Sequence, residues 1–103
     1  MAEYAAKRAA NRCSTHPGAL IRKGILPTIK VGKSELAHAL GISRQRLYDL
    51  LSEKKPVSAE VAVRLGKAFG DGPQPWLRMQ AEYDAWHAMR AVDVSAFPLI
   101  KAV

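Results

Sequence analysis

Twenty residues, KSELAHALGISRQRLYDLLS from Lys33 to Ser52, restrict what this chain can fold into more than any other stretch. Leu36, Ala37 and Leu40 recur at helical spacing and stop at Gly41; Leu47, Leu50 and Leu51 resume the pattern behind Ser43, a good N-cap. Two short helices joined through Gly41-Ile42-Ser43 must cross steeply. Such a crossing needs a small residue where the backbones approach, which Ala37 supplies, and a turn residue comfortable at positive φ, which Gly41 supplies. Ile42 plugs the corner. Four residues from Ala37 to Gly41 and six more to Leu47 is the spacing of a helix-turn-helix. A plain helical hairpin accounts for the apolar positions equally well. It does not account for the outward side chains of the second helix, which are Arg44, Gln45, Arg46, Tyr48 and Asp49.

The rest of the chain reads the same way. Apolar residues recur three and four apart almost throughout, and no long alternating run signals a strand. Residues 1–15 have little to bury and read as a flexible or conditionally helical basic arm. Pro17 opens a first helix carrying Leu20, Ile21 and Ile25, and Pro27 is expected to stop it, because proline pushes its preceding residue out of the α region. A fourth helix runs from Ser58 as cap to Phe69, with Val61, Ala62, Leu65 and Phe69 inward and Gly70 past its end. A fifth opens after Gly72-Pro73 and reaches about Arg90. The expectation is an all-α, five-helix domain over residues 16–90, followed by a short tail over 91–103. With 103 residues there is room for one domain. The single cysteine excludes an internal disulfide or a Cys-rich zinc site, and no apolar run exceeds three residues, so no membrane span or signal peptide is predicted. A cytoplasmic protein is expected.

Charge is unevenly placed. Residues 1–57 carry eleven Lys and Arg against four Asp and Glu, whereas residues 58–103 carry five of each, so the whole net charge of +7 lies in the first part. A basic face of this kind fits a polyanion and also fits an ordinary solvated surface. The helix led by Ser43 decides between them. Arginine pairs bidentately with guanine edges and glutamine with adenine, and both stand on the first turn, the part of a recognition helix that enters the major groove. Arg44, Gln45 and Tyr48 are therefore the candidate base contacts, with Asp49 either accepting from cytosine N4 or orienting an arginine. Lys33, Ser34, Ser43, Arg46, Lys54 and Lys55 are the candidate phosphate contacts. One such helix reads few base pairs, so a homodimer on a palindromic operator is expected. On the fifth helix Trp76, Met79, Gln80, Tyr83, Trp86 and His87 form a stripe in which Trp76, Met79, Tyr83 and Trp86 are candidate dimer contacts; closing the monomer's own core fits that stripe as well.

Nothing in the sequence builds an enzyme. Cys13 and His16 suggest a thiol–imidazole pair, yet no orienting carboxylate or oxyanion donor accompanies them. His38 and His87 lack a second ligand at metal spacing, and Gly66, Gly70 and Gly72 mark packing and helix ends, so neither a metal nor a cofactor is predicted. His16 reads instead as support for the start of the first helix. An RNA-binding role would want aromatic platforms beside the basic face, where Tyr48 stands alone.

The order of motifs resembles a known family. His16-Pro17-Gly18, ILP at Ile25–Pro27, ELAHALGISRQRLYDLL at Glu35–Leu51, KKPVS at Lys54–Ser58, AVRLGKAFG at Ala62–Gly70 and WLRMQAEYDAW at Trp76–Trp86 together resemble the HigA-type antitoxins of the Xre/Cro helix-turn-helix family. The resemblance implies a lambda-repressor-like fold and a homodimeric bacterial antitoxin. It also implies repression of the chain's own toxin–antitoxin promoter and a small RelE-like or HigB-like, mRNA-cleaving toxin as partner. The family pattern often carries acids after His-Pro-Gly; here Ala19, Lys23 and Gly24 stand in those places. A stand-alone Cro-type repressor with no toxin is the alternative.

Overall fold

The computed structural model describes residues 13–101. Among these, five helical segments and no strand are found. The first, α1, is a continuous run of three stretches, Pro17–Leu20, a π turn at Ile21–Ile25, and Leu26–Ile29. It is followed by α2 (Lys33–Leu40), α3 (Arg44–Leu51), α4 (Ala59–Phe69) and α5 (Gln74–Ala91). After Val92 the chain has no further helix, and Val92, Val94, Phe97 and Leu99 are exposed. The basic arm expected over residues 1–15 lies outside the described residues except for Cys13, Ser14 and Thr15, which are not helical.

One apolar cluster holds the five helices together. Ile21 comes from α1, Leu36, Ala37 and Leu40 from α2, Leu47, Leu50 and Leu51 from α3, and Val61, Ala62 and Leu65 from α4. Ile42, Val57 and Trp76 complete it. Phe69 joins at the edge, half-buried, with its ring centroid 5.7 Å from that of Trp76. Helices of eight residues are marginal alone, so burial of these side chains, at about 1.5–3 kcal/mol each, is what keeps α2 and α3 helical.

The start of α1 is set by His16 and Gly18. The His16 side chain is buried, and its Nδ1 accepts the Gly18 N–H at 2.9 Å, capping the helix as Pro17 takes a first-turn position. Gly18 then lies directly on α3: a Cβ there would stand 1.8 Å from the Leu50 carbonyl oxygen. The expected stop at Pro27 does not occur. Leu26 keeps helical angles (φ −54°, ψ −42°), and the helix continues to Ile29 before Lys30 turns left-handed (φ 52°, ψ 33°). The physical reason is the π turn. Its wider i→i+5 register, with the Leu26 N–H on the Ile21 carbonyl, relieves the crowding between a proline ring and the carbonyl one turn back.

The stripe on α5 divides between inside and outside. Trp76 is 3% exposed, and its indole N–H donates to Asp71 Oδ1 at 3.0 Å, so this candidate dimer contact belongs to the monomer's own core. Gln80 is buried as well: its Oε1 accepts the Val57 N–H at 2.9 Å while its Nε2 donates to Asp84. Gln80 thereby ties α5 to the segment leading into α4. Met79, Tyr83 and Trp86 remain half-exposed, and Tyr83 meets the edge of His16 with centroids 4.8 Å apart.

Two outcomes follow for stability. Gly18→Ala gains at most about 1 kcal/mol of helix propensity, but the added methyl runs into the Leu50 backbone and crowds the capping His16 Nδ1. Against an overpacking cost of about 1–3 kcal/mol, a net loss of up to about 2 kcal/mol in chemical denaturation is expected. Burial, the largest influence, pushes the His16 imidazole below its ordinary 6.5; Glu53 and Asp84 oppose this and Arg22 assists. The folded state thus favours neutral His16. Its contribution is complete above the unfolded value of 6.5 and is lost as pH falls from there through the lowered folded value. The thermal midpoint should drop over that window, and His16→Asn, which keeps a cap acceptor without a titrating ring, should flatten the drop.

Candidate nucleic-acid interface

The turn between α2 and α3 is built as its residue types require. Gly41 adopts φ 70°, its N–H and that of Ile42 return to carbonyls of the last turn of α2, and Ile42 is buried. Ser43 is extended (φ −69°, ψ 157°), and its Oγ accepts the Arg46 N–H at 3.1 Å. With Leu47, Leu50 and Leu51 buried, the 3.6-residue period of α3 sends Arg44, Gln45, Arg46 and Tyr48 to solvent, with Asp49 half-buried beside them.

These outward side chains are partly held in place. Gln45 Nε2 donates to Asp49 Oδ1 at 2.9 Å, one helical turn away. That bond leaves Gln45 its carbonyl oxygen and one N–H, the pair complementary to an adenine edge in the major groove. Asp49 thus holds a glutamine, where an arginine was expected as its partner. Lys33, at the start of α2, carries its ammonium 5.6 Å from the centre of the Tyr48 ring, which brings the α2 N-terminus beside the α3 face. Ser34 is exposed next to it. Lys54 and Lys55 project beyond α3 from a turn made by Glu53 at φ 64°, where both lysine N–H groups bond the Asp49 carbonyl. Arg46 is less free than its position in sequence implies, since its Nη1 stands 3.9 Å from Glu60 Oε1.

Two arginines that sequence reasoning did not single out hold this face from behind. Arg22, counted above with the polyanion-attracting charge, instead donates from Nη1 to the Leu51 carbonyl and from Nη2 to Glu53 at 3.3 Å, closing the C-terminal end of α3. Arg64 Nη1 donates to the carbonyls of Leu40 at 3.1 Å and Gly41 at 3.4 Å, closing the end of α2. Terminal carbonyls lack intrahelical partners and carry partial negative charge, which is why cations settle there. No local pattern announces these contacts: the partners lie 29 and 24 positions apart in sequence.

The other sequence candidates separate. Cys13 Sγ lies 3.4 Å from His87 Nε2 rather than against His16, whose Nδ1 is committed to Gly18. Among the described residues no group of three or more His, Cys, Asp and Glu could hold a metal ion, and no helix is long and apolar enough to cross a membrane.

This geometry has counterparts among known proteins. A helix-turn-helix family model matches residues 30–73, which bracket α2 to α4. Virulence-associated protein I of Dichelobacter nodosus is 36% identical over 69 residues, covering 67% of this chain; the chain spans 64% of that relative's length. A Pseudomonas aeruginosa protein solved in complex with its operator DNA is 34% identical with a TM-score of 0.71, over 75% of this chain and 81% of that one. An addiction-module antidote protein of the HigA family from Coxiella burnetii is 30% identical with a TM-score of 0.72, over 78% of this chain and 87% of that one. Sequence match and fold agree, and the chain belongs to the Xre-type helix-turn-helix family, among its HigA-like members.

Proposed function

We propose that this chain is a HigA-like antitoxin that binds operator DNA as a homodimer, represses its own toxin–antitoxin promoter and neutralises a small RelE-like, mRNA-cleaving toxin. The observation that carries the DNA-binding part is the tip of α3. Arg44, Gln45 and Tyr48 face solvent on a helix anchored by three buried leucines, and Asp49 pins the Gln45 amide. Arg44, Gln45 and Tyr48 read base edges. Lys33, Ser34, Ser43, Arg46, Lys54 and Lys55 surround them as phosphate contacts, and Asp49 acts through Gln45. The operator complex of the Pseudomonas aeruginosa relative supports this reading.

Dimerisation is assigned to the outer side of α5, where Met79, Tyr83 and Trp86 are half-exposed, together with the exposed apolar residues after it. Two copies would present their α3 tips to half-sites about 34 Å apart, one turn of DNA. A stand-alone Cro-type repressor is the second reading. It is favoured by Lys23 and Gly24, both exposed, at positions where an acidic patch would suit a basic toxin. Co-expression with the product of the adjacent reading frame separates the two: stable co-purification supports the antitoxin, and its failure supports the stand-alone repressor.

The test of the interface is a footprint on the chain's own upstream DNA, followed by titration of two variants. Gln45→Ala should cost about 1–3 kcal/mol on the protected site and relax one base position. Lys54→Ala should weaken binding to all sequences alike and reduce the salt slope by about one unit. Identical losses for both variants on random DNA would overturn the assignment.

A further inference from the structure

Glu60 stands in the first turn of α4, and one of its oxygens faces two arginines. Oε1 lies 3.2 Å from Arg64 Nη2 and accepts the Arg64 Nε–H at 3.3 Å; the same oxygen lies 3.9 Å from Arg46 Nη1. The two partners are not equivalent. Arg64 is committed elsewhere too, through its bonds to the carbonyls of Leu40 and Gly41, and cannot leave without opening the end of α2. Among the described residues the Arg46 guanidinium makes no hydrogen bond at all, only this longer approach, and its side chain is 48% exposed. Glu60 therefore keeps a counter-charge in Arg64 whether Arg46 stays or goes.

We propose that Glu60 is a built-in competitor for DNA phosphate. It holds Arg46 loosely in the free chain and releases it when a duplex docks, which makes the chain's sequence-independent grip weaker and less salt-dependent than its basic face alone would produce. The exchange runs toward DNA because an exposed ion pair at this distance is weak, whereas arginine meets a phosphate through short, charge-assisted and often bidentate bonds. Phosphate contacts position the protein but carry no sequence information, so Glu60 governs the depth of non-specific binding and leaves base reading to Arg44, Gln45 and Tyr48. The inference rests on the DNA-binding reading above.

The experiment compares the wild-type chain, Glu60→Gln, Arg46→Gln and the double variant on the footprinted duplex and on a random duplex, between about 50 and 200 mM salt. Glu60→Gln should bind both duplexes tighter by the same factor, most at low salt where the Glu60–Arg46 pair is strongest, and so steepen the slope of log K against log salt by less than the roughly 0.9 of one whole phosphate contact. In the Arg46→Gln background that gain should disappear, as the coupling of a contacting pair requires. Glu60→Asp, whose shorter carboxylate keeps an acid beside Arg64 while drawing back from Arg46, should give an intermediate slope and serves if Glu60→Gln unfolds. An unchanged slope in Glu60→Gln overturns the proposal. So does a gain that survives undiminished without Arg46, or one confined to the footprinted site. Wild-type chain that binds no duplex removes the functional reading and this inference together, whereas normal wild-type binding with an unchanged slope removes this inference alone.

Discussion

The packing of α2 against α3 across the Gly41 turn is the constraint on which the remaining structure depends. Each helix has only eight residues, too few to persist by backbone hydrogen bonding, so neither exists without the other's apolar side. Leu36, Ala37 and Leu40 meet Leu47, Leu50 and Leu51 within a cluster closed by Ile42 at the corner. Gly41 permits the turn because its left-handed backbone carries no Cβ. Once the leucines are inside, the period of α3 leaves the arginine–glutamine tip nowhere to go but out.

Charge serves two separate ends in so small a molecule. The same residue types that would meet phosphate also neutralise carbonyls at helix ends, and position in the fold decides which task each performs. Arg22 and Arg64 close α3 and α2, while Lys54 and Lys55 project into solvent. Two of the acids on this side of the molecule also act as holders. Asp49 holds the Gln45 amide, and Glu60 holds Arg64 while approaching Arg46. The surface offered to a partner is therefore partly organised before any partner arrives.

Much of this was readable in the chain. Ser43 and Ser58 cap their helices through the hydroxyl as expected, Gly41 and Gly70 adopt left-handed angles at helix ends, and His16 supports the start of α1. These are local effects, governed by residues three or four positions apart. The stop at Pro27 misled for a local reason of another kind, because a π turn ahead of a proline has no sequence signature as plain as the proline itself. Trp76 stayed open between dimer and core for a tertiary one: its spacing places it on a stripe, but spacing does not say whether that stripe faces the same chain or another.

By itself, then, the order of residues determined the helices, the ends of all but α1, the turn between α2 and α3 and the identity of the outward side chains on α3, because each follows from backbone sterics, capping chemistry and a 3.6-residue period. Only the tertiary structure decided which charges remained free. Arg22 could be assigned to the Leu51 carbonyl, Arg64 to Leu40 and Gly41, and Trp76 and Gln80 to the interior only after helices distant in sequence had been brought together. The physical reason is one of range. A helix end exposes unpaired carbonyls wherever it occurs, but the cation that satisfies them is chosen by packing, which no short stretch of sequence contains.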